Sequence, residues 1–212
     1  MARQGTILVT GAAGTHGGTG SYLVAALMMR GESVRAMVRV DDERARKLRA
    51  TGADVVVGDF LKIASMRKAM EGVDRVFFCY PLAGGLLQAT ANLCVVARET
   101  NVRAIANVSI MLAAPDQPSP IARDHWLSEN IFDWAGAKSI HLRGAFFFEN
   151  ILRFARAGIR EETRFFCRSV LATQSSRGWD RRILLIFRRP FSPIWKRTSG
   201  RHTTSLARQS CR

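Results

Sequence analysis

Thr6-Ile7-Leu8-Val9-Thr10-Gly11-Ala12-Ala13-Gly14-Thr15-His16-Gly17-Gly18-Thr19-Gly20 is the stretch that decides the fold. Its first five residues are β-branched or apolar, too few for a helix and suited to a strand buried on both faces. Glycines then stand at 11, 14, 17, 18 and 20, and Ser21 to Arg30 reads as a helix stopped by Gly31. Strand, glycine turn and helix, in that order, bring backbone N–H groups and a helix N-terminus against a phosphate. A Cβ in such a turn would block both the bend and the approach of the phosphate. The expected ligand is a dinucleotide, cradled by Gly11, Gly14, Gly17 and Gly20.

The spacing departs from plain G-x-G-x-x-G. Gly11-x-x-Gly14 is followed by Gly17 or, if Thr15 to Thr19 is an insertion, by Gly20. Counting back from Gly31 favours Gly20 as the glycine that lets the helix pack on its strand. That phase predicts Tyr22, Leu23, Ala26 and Leu27 on the face toward the sheet.

Beyond this unit, strand and helix alternate. Strands are expected at Ser33 to Arg39, Ala53 to Asp59, Asp74 to Tyr80, Arg103 to Ser109 and Ser139 to Arg143. Helices are expected near Asp41 to Ala50, Lys62 to Met70, Leu86 to Thr100 and Arg123 to Trp134. The third of these should present Leu87, Thr90, Ala91, Cys94 and Val95 on one face, and a loop rich in proline (Pro115, Pro118, Pro120) should precede the fourth. This rhythm specifies an α/β, Rossmann-type, doubly wound parallel sheet over residues 1–166, with right-handed crossovers. Ligand belongs at the carboxyl ends of its strands.

Those ends carry Arg39, Asp59, Tyr80 and Ser109. An acid after the second strand would hold the 2′-hydroxyl of NAD, whereas Arg39 suits the 2′-phosphate of NADP. Asp41 and Asp42 follow closely, so NADP is expected and NAD stays open. Asp59 is a candidate acceptor for the adenine amino group or a cap for the next helix. Cys79-Tyr80-Pro81 is expected on the nicotinamide side, with packing as the other role for Tyr80.

Composition bounds the rest. The chain has 212 residues, 47% of them hydrophobic, enough for one core and a small second lobe. No apolar run has membrane-spanning length, and Met1 to Gln4 leaves no room for a signal peptide, so a cytoplasmic protein without membrane partners is expected. Four cysteines show no paired spacing, so neither disulfide nor metal is expected. The net charge of +15 suggests nucleic acid until it is divided along the chain. Residues 1–162 hold 20 basic against 16 acidic side chains, and residues 163–212 hold 12 against one, Asp180. The excess lies in the last fifty residues.

Leu8-Val9-Thr10-Gly11-Ala12-Ala13-Gly14, Val34-Arg35-Ala36-Met37-Val38-Arg39 and Gly52 to Asp59 resemble the NmrA-like family, atypical relatives of the short-chain dehydrogenases. His125 to Glu129 and His141 to Asn150 resemble later segments of that family. The resemblance spans roughly residues 5–166 and implies NAD(P) binding. It implies either an NAD(P)H-dependent reductase of quinone-like or other small carbonyl substrates, or a redox-sensing regulator acting through a protein partner.

The tyrosine–lysine pair of ordinary short-chain dehydrogenases is absent, since neither Tyr22 nor Tyr80 has a lysine four positions on. The remaining candidates are Ser109 and His125, with His125 or water supplying the proton and a packed role beside Trp126 as the alternative for His125. Glu129 reads as a helix-surface charge or a cap partner.

From Cys167 the rhythm stops and arginines pair at 181–182 and 188–189, among Trp179, Phe187 and Trp195. A basic nucleic-acid-binding extension is one reading. Freely chosen synonymous codons for Phe166 to Cys211, read one base earlier, give a peptide with apolar helical spacing that resembles the family's C-terminal lobe. Residues 167–212 are therefore read as an out-of-frame tail, and the apolar run Ile183 to Phe187 as never selected for one face. Limited proteolysis should then trim the chain to a fragment ending between Gly158 and Arg168. A tail as resistant as the first domain would sink this reading.

Overall fold

The structure is a computed structural model that describes residues 5–14, 18–81 and 83–145. Gly17, the residues around Phe166 and the stretch 167–212 lie outside the described residues. The order of elements is β1 (Thr6–Val9), α1 (Thr19–Met28), β2 (Val34–Val38), α2 (Glu43–Ala50), β3 (Asp54–Val57) and α3 (Ile63–Met70). It continues with β4 (Val73–Phe78), α4 (Leu86–Glu99), β5 (Ala104–Ile110), α5 (Pro120–Trp134) and β6 (Ser139–Gly144).

The six strands form one sheet in the order β3-β2-β1-β4-β5-β6, and every neighbouring pair is parallel. This is the doubly wound order, with the reversal between β1 and β4. Side chains alternate across it, as the two-residue period of a strand requires. Ile7, Val9, Ala36, Val38 and Phe77 pack with Leu23, Val24 and Leu27 of α1 and with α2. Leu8, Met37, Val76, Phe78 and Ile105 pack on the other face with Met66 and Met70 of α3, Leu93 of α4 and Phe132 of α5. Both faces are covered, which explains why the strands read as continuous apolar runs. Among the described residues, no helix is long and apolar enough to cross a membrane.

Three local expectations are corrected. Tyr22 does not face the sheet: it is 66% exposed, and the buried row of α1 is Gly20, Leu23, Val24 and Leu27. Residues 22–27 are apolar or alanine throughout, so the phase is set by Gly20, whose spacing to 23, 24 and 27 is one helical stripe. In α4 the buried face is Leu86, Ala89, Thr90, Leu93, Cys94, Val96 and Ala97, while Ala91 and Val95 are exposed. Small and apolar residues nearly surround that helix, and tertiary contact with α3 and α5 picks the face. Finally, α5 starts at Pro120 rather than Arg123, because a proline at the first helical position loses no hydrogen bond.

Gly20 is where α1 meets β1 most closely. A Cβ there would lie 2.8 Å from the Ala12 nitrogen and Cα and from the Gly11 carbonyl carbon, all backbone atoms that cannot turn aside. Gly20→Ala should therefore destabilise the fold by about 1–3 kcal/mol in urea unfolding. Gly84→Ala, where a Cβ meets nothing within 4 Å, is the control and should change little.

Candidate functional site

The turn after β1 is a backbone cradle. Gly11 has φ +69°, and a Cβ on it would meet the Cys79 Cβ at 3.0 Å and carbonyl oxygen at 3.1 Å. The Gly14 N–H donates to the Gly11 carbonyl at 3.1 Å, closing the bend. Helix α1 then begins after Gly18 with no side-chain cap and no acid in its first turn. Its first amides and the positive end of its dipole are left for an anion. The described glycines of the expected cradle, Gly11, Gly14 and Gly20, thus lie together at the carboxyl end of β1. A pyrophosphate suits this place on shape and charge.

One residue of this corner carries a role its sequence position did not suggest. Thr10 reads as the last residue of a strand, yet its buried hydroxyl ties β1 to β4. Its Oγ1 accepts from the Cys79 N–H at 2.8 Å and lies within donating reach of the Phe77 and Cys79 carbonyls, at 3.1 and 3.3 Å. The exit of β4 is thereby held against the glycine turn. Burial pushes the Cys79 thiol up to about 11, so it stays protonated and is no nucleophile at neutral pH.

The next corner gathers the residues that follow β2, β3 and β4. Arg39 is exposed and, among the described residues, makes no hydrogen bond or ion pair. Asp41 is gripped by both terminal nitrogens of Arg49, at 2.7 and 2.9 Å. Asp42 caps α2 through the Arg44 and Ala45 N–H groups and is clasped by the Arg44 guanidinium at 2.6 and 2.9 Å. Those arginine contacts hold both carboxyls below their ordinary range. The Arg44 Nη1 also donates to the Ala13 carbonyl of the glycine turn at 2.9 Å. Asp59 does not cap α3, whose N-cap is Lys62 with no side-chain cap: its Oδ1 accepts from the Leu61 N–H at 3.0 Å in the turn before the helix, leaving Oδ2 without a partner among the described residues.

Tyr80 packs on Phe60 and Phe78, close enough to Arg39 and Asp59 for their charges to act on it. Its ring centroid is 5.4 Å from that of Phe60, and its hydroxyl donates to the Gly84 carbonyl at 2.9 Å. Burial raises its phenol, with Arg39 opposing and Asp59 adding to the shift. Phe60 and Phe78 supply the apolar edge that draws it there.

The third corner lies between β5, β6 and α5. Ser109 is a ladder partner of Arg143, and Asn107 of His141, so these four side chains share the sheet face toward α5. The Asn107 amide meets His141 Nδ1 at 3.1 Å, and His141 Nε2 meets Asp133 at 3.1 Å. Arg143 grips Glu129 at 3.0 and 2.5 Å. Glu129 is only 5% exposed, which corrects its reading as a surface charge. Its partner could not be seen in the sequence, because the two meet only once β6 pairs with β5. His125 lies one turn before Glu129 on α5 and is buried. Burial lowers its pKa, and the charges of Glu129 and Asp124 oppose that. The Ser109 hydroxyl is buried with no hydrogen-bond partner among the described residues. Ser109 is thus the ladder partner of Arg143, which grips Glu129 one turn from His125.

Comparisons with known proteins bear on this arrangement. A family model described as NAD(P)H-binding matches residues 14–157. An NAD(P)H azoreductase of Xenophilus azovorans is 35% identical over 162 residues, covering 76% of this chain and 54% of the azoreductase. The crystal structure of an NADPH-dependent quinone oxidoreductase from Escherichia coli, complexed with NADPH, aligns with a TM-score of 0.61 at 26% identity. That alignment covers 73% of this chain and 54% of the other. A triphenylmethane reductase of Citrobacter sp., complexed with NADP(H), aligns with a TM-score of 0.60 at 27% identity, over 73% and 55% of the two chains. The chain spans about half the length of each of these relatives.

The buried imidazole has a consequence for acid stability. The folded pKa of His125 lies below its ordinary 6.5, so as pH falls the unfolded chain takes the proton first. Its contribution is complete above about 6.5 and is lost as pH drops through that value toward the folded pKa. Urea midpoints between pH 7.5 and 5 should fall for the parent and fall less for His125→Gln. Equal slopes would mean that His125 is solvated.

Proposed function

We propose that this chain, which belongs to the NAD(P)H-binding family, is the dinucleotide-holding half of an NAD(P)H-dependent reductase that prefers NADPH. The observation that carries the proposal is the cradle of Gly11, Gly14 and Gly20, set under the uncapped start of α1 where the strand order reverses. In this reading the turn amides and the helix end hold the pyrophosphate, and Arg39, with no partner among the described residues, receives the 2′-phosphate. Asp59 Oδ2 and the Phe60–Tyr80 rings serve the adenine end. Ser109, with its orphaned hydroxyl, serves the reacting end.

When bound, the reduced dinucleotide supplies a hydride. The protein's part is to align the acceptor and provide the balancing proton. His125 is the donor in this reading: burial makes its protonated form a readier acid, and Glu129 keeps that form accessible. The relatives named as azoreductase, quinone oxidoreductase and triphenylmethane reductase support conjugated, electron-poor acceptors as the substrate class.

Fluorescence titration with NADPH and NADH, followed by NADPH oxidation in the presence of a benzoquinone or an azo compound, tests this. Saturable binding with acceptor-dependent oxidation is expected. Arg39→Ala should weaken NADPH more than NADH, by about 1–3 kcal/mol for one lost charge-assisted contact. Binding without oxidation of either acceptor would remove the reductase and leave a dinucleotide-sensing regulator. An equal loss for both dinucleotides would take Arg39 away from the phosphate.

A further inference from the structure

We propose that Arg44 is a specificity-determining residue: it consumes the carboxylate of Asp42 that would otherwise receive a ribose 2′-hydroxyl, and so tilts the site toward a 2′-phosphorylated dinucleotide. The inference rests on the dinucleotide reading given above and concerns only which dinucleotide is preferred. After β2 the chain offers both kinds of recognition within four residues, a cation at Arg39 and acids at Asp41 and Asp42. An acid here favours NADH and an arginine NADPH, so the free capacity of each group decides.

An ionised carboxylate has about four acceptor positions. On Asp42 all four are taken. Oδ1 accepts from the Arg44 and Ala45 N–H groups at 2.9 and 3.3 Å, and Oδ2 from Arg44 Nε and Nη2 at 2.9 and 2.6 Å. A hydroxyl would have to break one of these bonds to donate. Asp41 is likewise neutralised by Arg49. Arg44 is itself fixed at its far side, where Nη1 donates to the Ala13 carbonyl of the glycine turn. The clasp therefore joins α2 to the cradle, and the two acids cancel against two arginines. Arg39 is left as the cation without an ion pair among the described residues. Loss of Arg44 acts twice in one direction: it opens Oδ2 to a hydroxyl and exposes a negative charge to a 2′-phosphate.

The test is fluorescence titration of the full chain with NADPH and with NADH at one fixed salt concentration. Arg44→Met should lower the ratio of NADPH to NADH affinity by about tenfold or more. Adding Asp42→Asn to it should restore most of the ratio, since asparagine keeps the helix cap without the charge. Asp42→Asn alone should raise the ratio, because Arg44 then stands without an acid to cancel it. A ratio unchanged in Arg44→Met, an equal loss of both dinucleotides, or a ratio unchanged or lowered in Asp42→Asn alone would each overturn the proposal. The single Asp42→Asn variant, which keeps the helix cap, gives that readout even if Arg44→Met fails to fold. If the parent binds neither dinucleotide, the reading of the site itself has failed; if it binds and the ratios refuse to move, only the role of Arg44 has.

Discussion

Helix α1 rests on bare backbone. At Gly20 there is no room for a single carbon between the helix and the Gly11–Ala12 turn, and that contact fixes the rest of the first unit. It sets the rotation of α1, so that Leu23, Val24 and Leu27 fall on Ile7, Val9 and Val34 while Tyr22 is turned to solvent. It also sets where the helix begins, which is how its open amides come to lie above the carboxyl end of β1. Packing and binding here are two outcomes of one distance.

The second tie is electrostatic rather than steric. The Thr10 hydroxyl joins the ends of β1 and β4 at the point where the strand order reverses, and a crevice must open there because the flanking helices leave on opposite faces. Three corners of side chains then follow the order of the strands around that crevice. Arg39, Asp59 and Tyr80 stand on one side, and Ser109, His125 and the Glu129–Arg143 pair on the other. The Glu129–Arg143 pair is buried on the acid's side only, with the Arg143 side chain 48% exposed, and a pair so open to solvent contributes little stability. Its value at this place is to hold a cation and an acid in fixed positions beside an unsatisfied hydroxyl.

Much of this was legible in the residues. The alternation of short apolar runs with amphipathic segments marks every strand and helix to within a few positions, because a sheet covered on both faces leaves little ambiguity in composition. Gly20 could be found by counting back from a helix stop, since helical spacing links it to the buried row. Where small or apolar residues fill a helix on all sides, as in α4, composition cannot choose the buried face, and the neighbouring helices do. Glu129 and Arg143 lie fourteen residues apart and meet through the pairing of β5 with β6. Thr10 is hidden for a similar reason: a threonine at a strand end looks like any β-branched residue until the neighbouring strand is known. What sequence shows well is periodicity; what it hides is register.

The two arginine clasps of α2 lie, like Arg39, on the outside of the site. Asp41, Asp42, Arg44 and Arg49 are all substantially exposed, and ion pairs of that kind contribute little to holding a fold together. Gly20, Ala12 and Thr10, by contrast, are locked into the interior. Charge exchanges along the outer edge of α2 that keep the Asp42 cap therefore cost folding little. Under the proposed reading of the site, descendants of this chain could drift between cofactor pools by such exchanges, with the sheet beneath them left as it is.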